Sequence, residues 1–146
     1  MKEFKGRVLA GGSYKGECIV SHGGLNTLAT FQGSAIKHAK HVVAGDQNNP
    51  DLYGKNITGI ALILPQTIGS TTGGMVLQVI CSMKINPACM LFSESIDSLA
   101  AAGAVLSTVW EKSDIIVIDR LGKEILDAAK TGGQVEVKED GTVIVY

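Results

Sequence analysis

At 146 residues with 45% hydrophobic content, the chain has the size of one globular domain able to bury a real core, and a single domain over residues 1–146 is expected. Its 13 basic and 14 acidic side chains leave a formal net charge of -1, so no strong field points to nucleic acid or to an anionic membrane surface. No apolar run approaches the roughly 20 residues of a membrane helix, and Met1 to Gly12 lacks the long apolar segment of a signal peptide, which makes a cytoplasmic protein the expectation.

Charged residues are only 18% of the chain and the mean hydropathy is +0.23, a balance that suggests apolar surface covered by a second polypeptide. Cys18, Cys81 and Cys89 are odd in number and lack a C-x-x-C pair, so they read as buried free thiols rather than a disulfide framework or a metal site.

Residues 4–58 are rich in glycine and turn formers, with short strand candidates at Arg7–Leu9 and Glu17–Val20, and read as irregular β. Within them Ala44 to Asp51 is polar and contains Pro50, which predicts a surface loop anchored at its far end by Leu52 and Tyr53. At Gly59 the character changes. Ile60 to Leu64 is a continuous apolar run stopped by Pro65, as expected of a strand buried on both faces, and a parallel sheet is predicted to begin there.

A helix is predicted over Met75–Lys84, ended by Asn86-Pro87, and a second buried strand over Ala88–Phe92. Ser93 or Ser95 then caps a predicted helix in which Leu99, Ala102, Gly103, Leu106 and Val109 recur at helical spacing. The third strand is Asp114–Ile118, followed by a helix over Gly122–Lys130 with Ile125 and Ala129 inward and Gly132-Gly133 as the stop. Val135, Val137, Val143 and Val145 alternate around Glu139-Asp140-Gly141, the signature of an antiparallel hairpin. The sum is an α/β chain with a β-rich first third, a βαβαβα middle and a closing hairpin.

The densest chemical signal is Pro65-Gln66-Thr67-Ile68-Gly69-Ser70-Thr71-Thr72-Gly73-Gly74, set between a buried strand's carboxyl end and a helix start. Ligands of open α/β sheets collect there, because loop amides and the helix's partial positive charge favour anions. No lysine follows the last glycine, so this is no Walker loop, and Thr71 at the centre of Gly69–Gly73 excludes a G-x-S-x-G elbow; a G-x-G-x-x-G fingerprint is also absent. An anion site and a plain turn with capping hydroxyls both fit these residues.

Leu64-Pro65, the Gly69-Ser70-Thr71-Thr72-Gly73 loop, a helix, and then Asn86-Pro87-Ala88 opening the next strand together resemble the small-subunit, swivel-domain family of aconitase X. Asn49-Pro50-Asp51-Leu52-Tyr53-Gly54 resembles that family's segment before the buried strand. The resemblance implies a swivelling β/β/α fold similar to the carboxyl-terminal domain of aconitase, working with a larger subunit that holds an iron-sulfur cluster, with no cofactor or metal bound by this chain. It implies a hydro-lyase that dehydrates a small hydroxy acid; the family's known substrates are phosphomevalonate and cis-3-hydroxyproline. By position, the family's proton-accepting serine falls on Ser70, and Gly69, Thr71, Thr72 and Gly73 line the substrate.

The family loop commonly carries an arginine where this chain has Ile68. With no cation in the loop to grip a phosphate, a cis-3-hydroxyproline-like substrate is slightly favoured, with phosphomevalonate as the alternative. A noncatalytic partner-binding swivel module is the competing reading. Serine is a very weak acid, and a helix amino end contributes at most about 2 kcal/mol, so Ser70 needs a further cation, supplied by the partner, to act as a base.

Other candidates have plainer explanations. His38 and His41 stand three apart and would share a helical face, but no third metal ligand is in view, and His22 beside Gly23-Gly24 reads as a turn histidine. Glu94 and Asp97 suit a helix's first turn; Glu17, Asp119 and Arg120 near strand ends read as surface pairs before substrate contacts. Met75, Met83 and Met90 follow core periodicity, and Trp110 fits a core edge or an interface.

Overall fold

In the computed structural model, described over residues 1–68, 73–96 and 113–146, the central apolar runs form the parallel heart of an eight-stranded sheet. Strands β1 (Lys2–Lys5), β2 (Arg7–Ala10) and β3 (Tyr14–Val20) come first, then β4 (Leu25–Asn26), helix α1 (Thr27–Ile36) and β5 (Ala61–Leu64). After β6 (Thr67–Ile68) come α2 (Gly73–Ser82), β7 (Cys89–Phe92), β8 (Ile116–Asp119), a short α3 (Glu124–Ala128), β9 (Gln134–Val137) and β10 (Thr142–Val145). The order is β1-β10-β9-β3-β5-β7-β8-β2, with β3, β5, β7 and β8 parallel, and a small parallel pair β4-β6 stands apart.

The layering follows from strand alternation. In β5, Leu62 and Leu64 face a cluster with Phe31, Leu77 and Ile80 of α1 and α2, while Ala61 and Ile63 face one with Val135, Val137, Val143 and Val145 of the hairpin. Both faces are covered, which is why these strands read as unbroken apolar runs. The molecule is therefore a β/β/α stack of hairpin layer, parallel layer and helices, in agreement with the expected fold class.

The parallel sheet begins earlier than the apolar pattern predicts. The second half of β3, Cys18 to Val20, pairs in parallel with β5, whereas its first half, Tyr14 to Glu17, pairs antiparallel with β9. A similar division occurs at Gly6, which alone separates β1 from β2, strands at opposite ends of the order. Its N–H donates to the Gly141 carbonyl at 3.1 Å on the hairpin side, and a Cβ at Gly6 would overlap the Asp119 carbonyl on the other. Only glycine passes through this gap.

The first third is not simply irregular β. It contains α1, whose amino end is capped by Asn26, with Oδ1 accepting from the Ala29 N–H at 3.0 Å. The helix ends at Ile36 and His38 sits at a φ of 50°, so His38 and His41 do not share a helical face. The Ala44–Asp51 loop is also not wholly at the surface: Ala44, Asp46 and Asn49 are buried, and Leu52, but not the half-exposed Tyr53, anchors its end. Met90 is buried and Met83 packs against the core as expected, but Met75 projects outward, 70% exposed. The helix expected from Leu99 to Val109, with Asp97 and Trp110, lies outside the described residues.

All three cysteines are buried free thiols, as expected. Burial, reinforced by the negative charge of Asp114, pushes the Cys89 thiol up to about 12 from the ordinary 9.0. The stability this represents is fully present below pH 9, where native and unfolded chains both hold the proton, and is lost as pH rises through 12, because the unfolded thiol ionises first. Chemical denaturation at successive pH values is expected to show a Cys89→Ala chain losing less stability than the parent across that interval; equal losses would remove the thiol as the cause.

Candidate active edge at the strand carboxyl ends

Four parallel strands deliver four turns to one edge: Ser21–Gly24 after β3, Pro65–Ile68 after β5, Ser93–Ile96 after β7, and Arg120–Gly122 after β8. Backbone hydrogen bonds lace them side by side. The Ser21 N–H donates to the Ile63 carbonyl at 2.9 Å and Leu25 to Gln66 at 2.8 Å; Glu94 donates to Pro65 at 3.0 Å and Arg120 to Glu94 at 3.1 Å. Such cross-bracing leaves the turns little freedom, as a surface that must present groups accurately requires.

Residues 69–72 join β6 to α2, so Gly69, Ser70, Thr71 and Thr72 lie outside the described residues while both ends of their segment are defined. Ile68 pairs with Asn26 in the β4-β6 ladder, and Gly73 opens α2. The junction is thus the expected kind, a buried strand's carboxyl side passing into a helix. Ile68, where the resembled family's loop commonly carries an arginine, is 48% exposed beside this segment.

The wall formed by residues 21–26 escaped the sequence reading. Asn49 is buried and its Nδ2 donates to Ser21 Oγ at 2.9 Å and to the Gly24 carbonyl at 3.4 Å. Asp51 accepts from the His22 N–H at 2.9 Å and lies 3.8 Å from His22 Nδ1, which holds this histidine at the turn as expected. The signal available in the sequence was Asn49-Pro50-Asp51 itself, read there as a loop.

Asp119 is fully buried rather than a surface pair. Its carboxylate accepts from Arg7 Nε at 3.0 Å and Nη2 at 2.7 Å, and from the Ile96 N–H at 3.0 Å, so it braces the turn after β7. Arg120 is exposed at the edge, with Nε donating to Ser95 Oγ at 3.1 Å. Glu17 lies at mid-strand in β3, opposite Gln134, and is not brought to this edge. Ser93 Oγ is buried here with no hydrogen-bond partner among the described residues.

A cavity of about 330 Å³ occupies the opposite, amino-terminal edge, bordered by Thr58, Lys84, Asn86 and Asp114. It lies at the other end of the strands from the four turns, so the carboxyl edge remains the better candidate on chemical grounds. Among the described residues no three His, Cys, Asp or Glu side chains stand together in a way that could hold a metal ion, and the buried, separate thiols do not fit an iron-sulfur cluster. No described helix is long and apolar enough to cross a membrane.

A parallel α/β layer backed by a β-hairpin, with helices α1 and α2 over its other face, defines a swivel-type domain. The model of the aconitase X swivel domain matches residues 3–146, and the chain belongs to that family. The phosphomevalonate dehydratase small subunit of Methanocella arvoryzae is 30% identical over 140 residues, covering 96% of this chain and 94% of that protein. That of Methanothrix thermoacetophila is 31% identical, covering 98% and 93%. The crystal structure of Thermococcus kodakaraensis aconitase X in its holo form superposes with a TM-score of 0.82 at 26% identity, covering 100% of this chain and 99% of that one. The solution structure of a UPF0107 protein shares the fold, with a TM-score of 0.78 at 22% identity.

Proposed function

We propose that this chain is the small subunit of an aconitase X-type dehydratase acting on a phosphorylated hydroxy acid of the phosphomevalonate kind. The observation that carries the reading is end-to-end correspondence with small subunits of that name, 96% of this chain against 94% of the Methanocella protein. The expected preference for a hydroxyproline-like substrate gives way here: it rested on the lack of a cation in the Ser70 loop, and the fold brings Arg120 to the same edge from β8.

In this reading Ser70 takes the proton from the carbon beside the substrate carboxylate, the hydroxyl leaves from the next carbon, and the pair of electrons released forms the double bond. Gly69, Thr71, Thr72 and Gly73 line the substrate. The cluster belongs to the larger subunit, where it would supply the Lewis acid that draws off the hydroxyl. The exposed Ile68, Met75 and Val79, on and just before a helix α2 without a charged residue, support a partner seated beside the loop.

Reconstitution tests this. The isolated chain is expected to show no turnover, and the chain with its larger subunit to dehydrate phosphomevalonate but not cis-3-hydroxyproline. Turnover by the chain alone, or a reversed substrate preference, would overturn the reading.

A further inference from the structure

We propose that Asn49 is a positioning residue, setting the platform from which the Ser70 segment departs; its catalytic part rests on the function proposed above. Ser21 Oγ stands within hydrogen-bonding distance of both the Gly23 carbonyl, at 2.8 Å, and Asn49 Oδ1, at 3.3 Å. The hydroxyl has one proton, and the shorter contact takes it. Asn49 Oδ1 is then the acceptor for the Leu52 N–H at 3.3 Å, and Nδ2 is the group that reaches Ser21 Oγ and the Gly24 carbonyl. One buried amide thus fastens the 44–54 loop to the turn after β3.

That turn determines what lies beyond it. Gly24 approaches Ile68 so closely that a Cβ there would stand 2.9 Å from Ile68 Cγ2. The next residue, Leu25, donates to the Gln66 carbonyl at 2.8 Å, and Leu25 and Asn26 pair with Thr67 and Ile68. Asn26 also caps α1, which packs along α2, the helix that opens at Gly73. Both ends of residues 69–72 therefore take their position from the segment that Asn49 holds. Asn49 touches no reacting atom in this scheme. It acts through Ser21, Gly24 and the β4-β6 ladder.

Asn49→Asp is the sharpest test, because it keeps the size and Oδ1 but turns a second acceptor toward Ser21 Oγ and the Gly24 carbonyl. Asn49→Ala removes the bridge outright, and Val143→Ala, in the hairpin layer, serves as a control for general loss of stability. Hydrogen exchange of the full chain is expected to accelerate about tenfold at Gln66, Thr67 and Ile68 in both Asn49 variants, and not in the control. In the two-subunit enzyme, assayed well below each melting point, kcat is expected to fall about tenfold to hundredfold with KM within about twofold. Unchanged exchange at 66–68, or unchanged kcat, overturns the proposal. If the parent complex itself dehydrates nothing, the proposed function fails, while the exchange result still decides whether Asn49 sets this platform.

Discussion

Replacing Ser70 with alanine in the reconstituted two-subunit enzyme is expected to lower kcat by about 10² to 10⁴, the usual contribution of a positioned proton acceptor. The physical reason is that alanine keeps the backbone of the strand-to-helix passage and removes only the oxygen. Assembly with the larger subunit should persist, since loss of one small polar atom usually changes affinity little. The competing idea of a noncatalytic docking module makes the opposite forecast, with weakened assembly and full turnover per complex. Steady-state kinetics together with a measured dissociation constant separates the two, and full turnover by Ser70→Ala would end the case for a proton-accepting serine.

The second large effect is on stability. Phe31 is fully buried on α1, in the cluster that also holds Leu77 and Ile80 of α2 and Leu62, Leu64 and Phe92 of the sheet. Phe31→Ala is expected to cost about 3 to 5 kcal/mol through lost burial and the cavity left behind. For a chain of this size that corresponds to a fall in Tm of roughly 10 to 15 °C. Thermal denaturation followed by circular dichroism reads it directly. A shift under about 3 °C would mean that α1 does not depend on this docking, and the route from Asn26 through α1 to α2 would lose its anchor.

Phe31 also shows where sequence reasoning stopped. The face of α1 turned inward is Thr27, Thr30, Phe31 and Ser34, three hydroxyls and one ring, with Gly33 between them. A helix announced by apolar periodicity cannot be recognised when its buried stripe is hydroxylated. The strands were legible for the converse reason. Ala61–Leu64, Cys89–Phe92 and Ile116–Asp119 are buried at every position, and the valines of β9 and β10 alternate cleanly.

At the candidate edge, the position of Ser70 between a strand and a helix could be read locally, because apolar run, proline, glycines and helix follow one another in the chain. The Ser21–Asn49 bridge could not, since its partners are 28 residues apart and a polar loop has the same composition whether solvated or buried with its bonds satisfied. The same holds for Arg120, whose place beside the other three turns depends on strand order, and for Asp119, whose buried pairing with Arg7 spans 112 positions.

The glycine crossing between β1 and β2 has a consequence for association. Because those two strands are consecutive and sit at the two ends of the order, the two margins of the sheet are one continuous ribbon turned at Gly6. Each half of the ribbon is only four residues long, and β1 carries the exposed charged side chains Lys2, Glu3 and Lys5, which discourages a foreign strand from annealing there. Recruitment of another polypeptide is thereby diverted from main-chain annealing toward side-chain recognition.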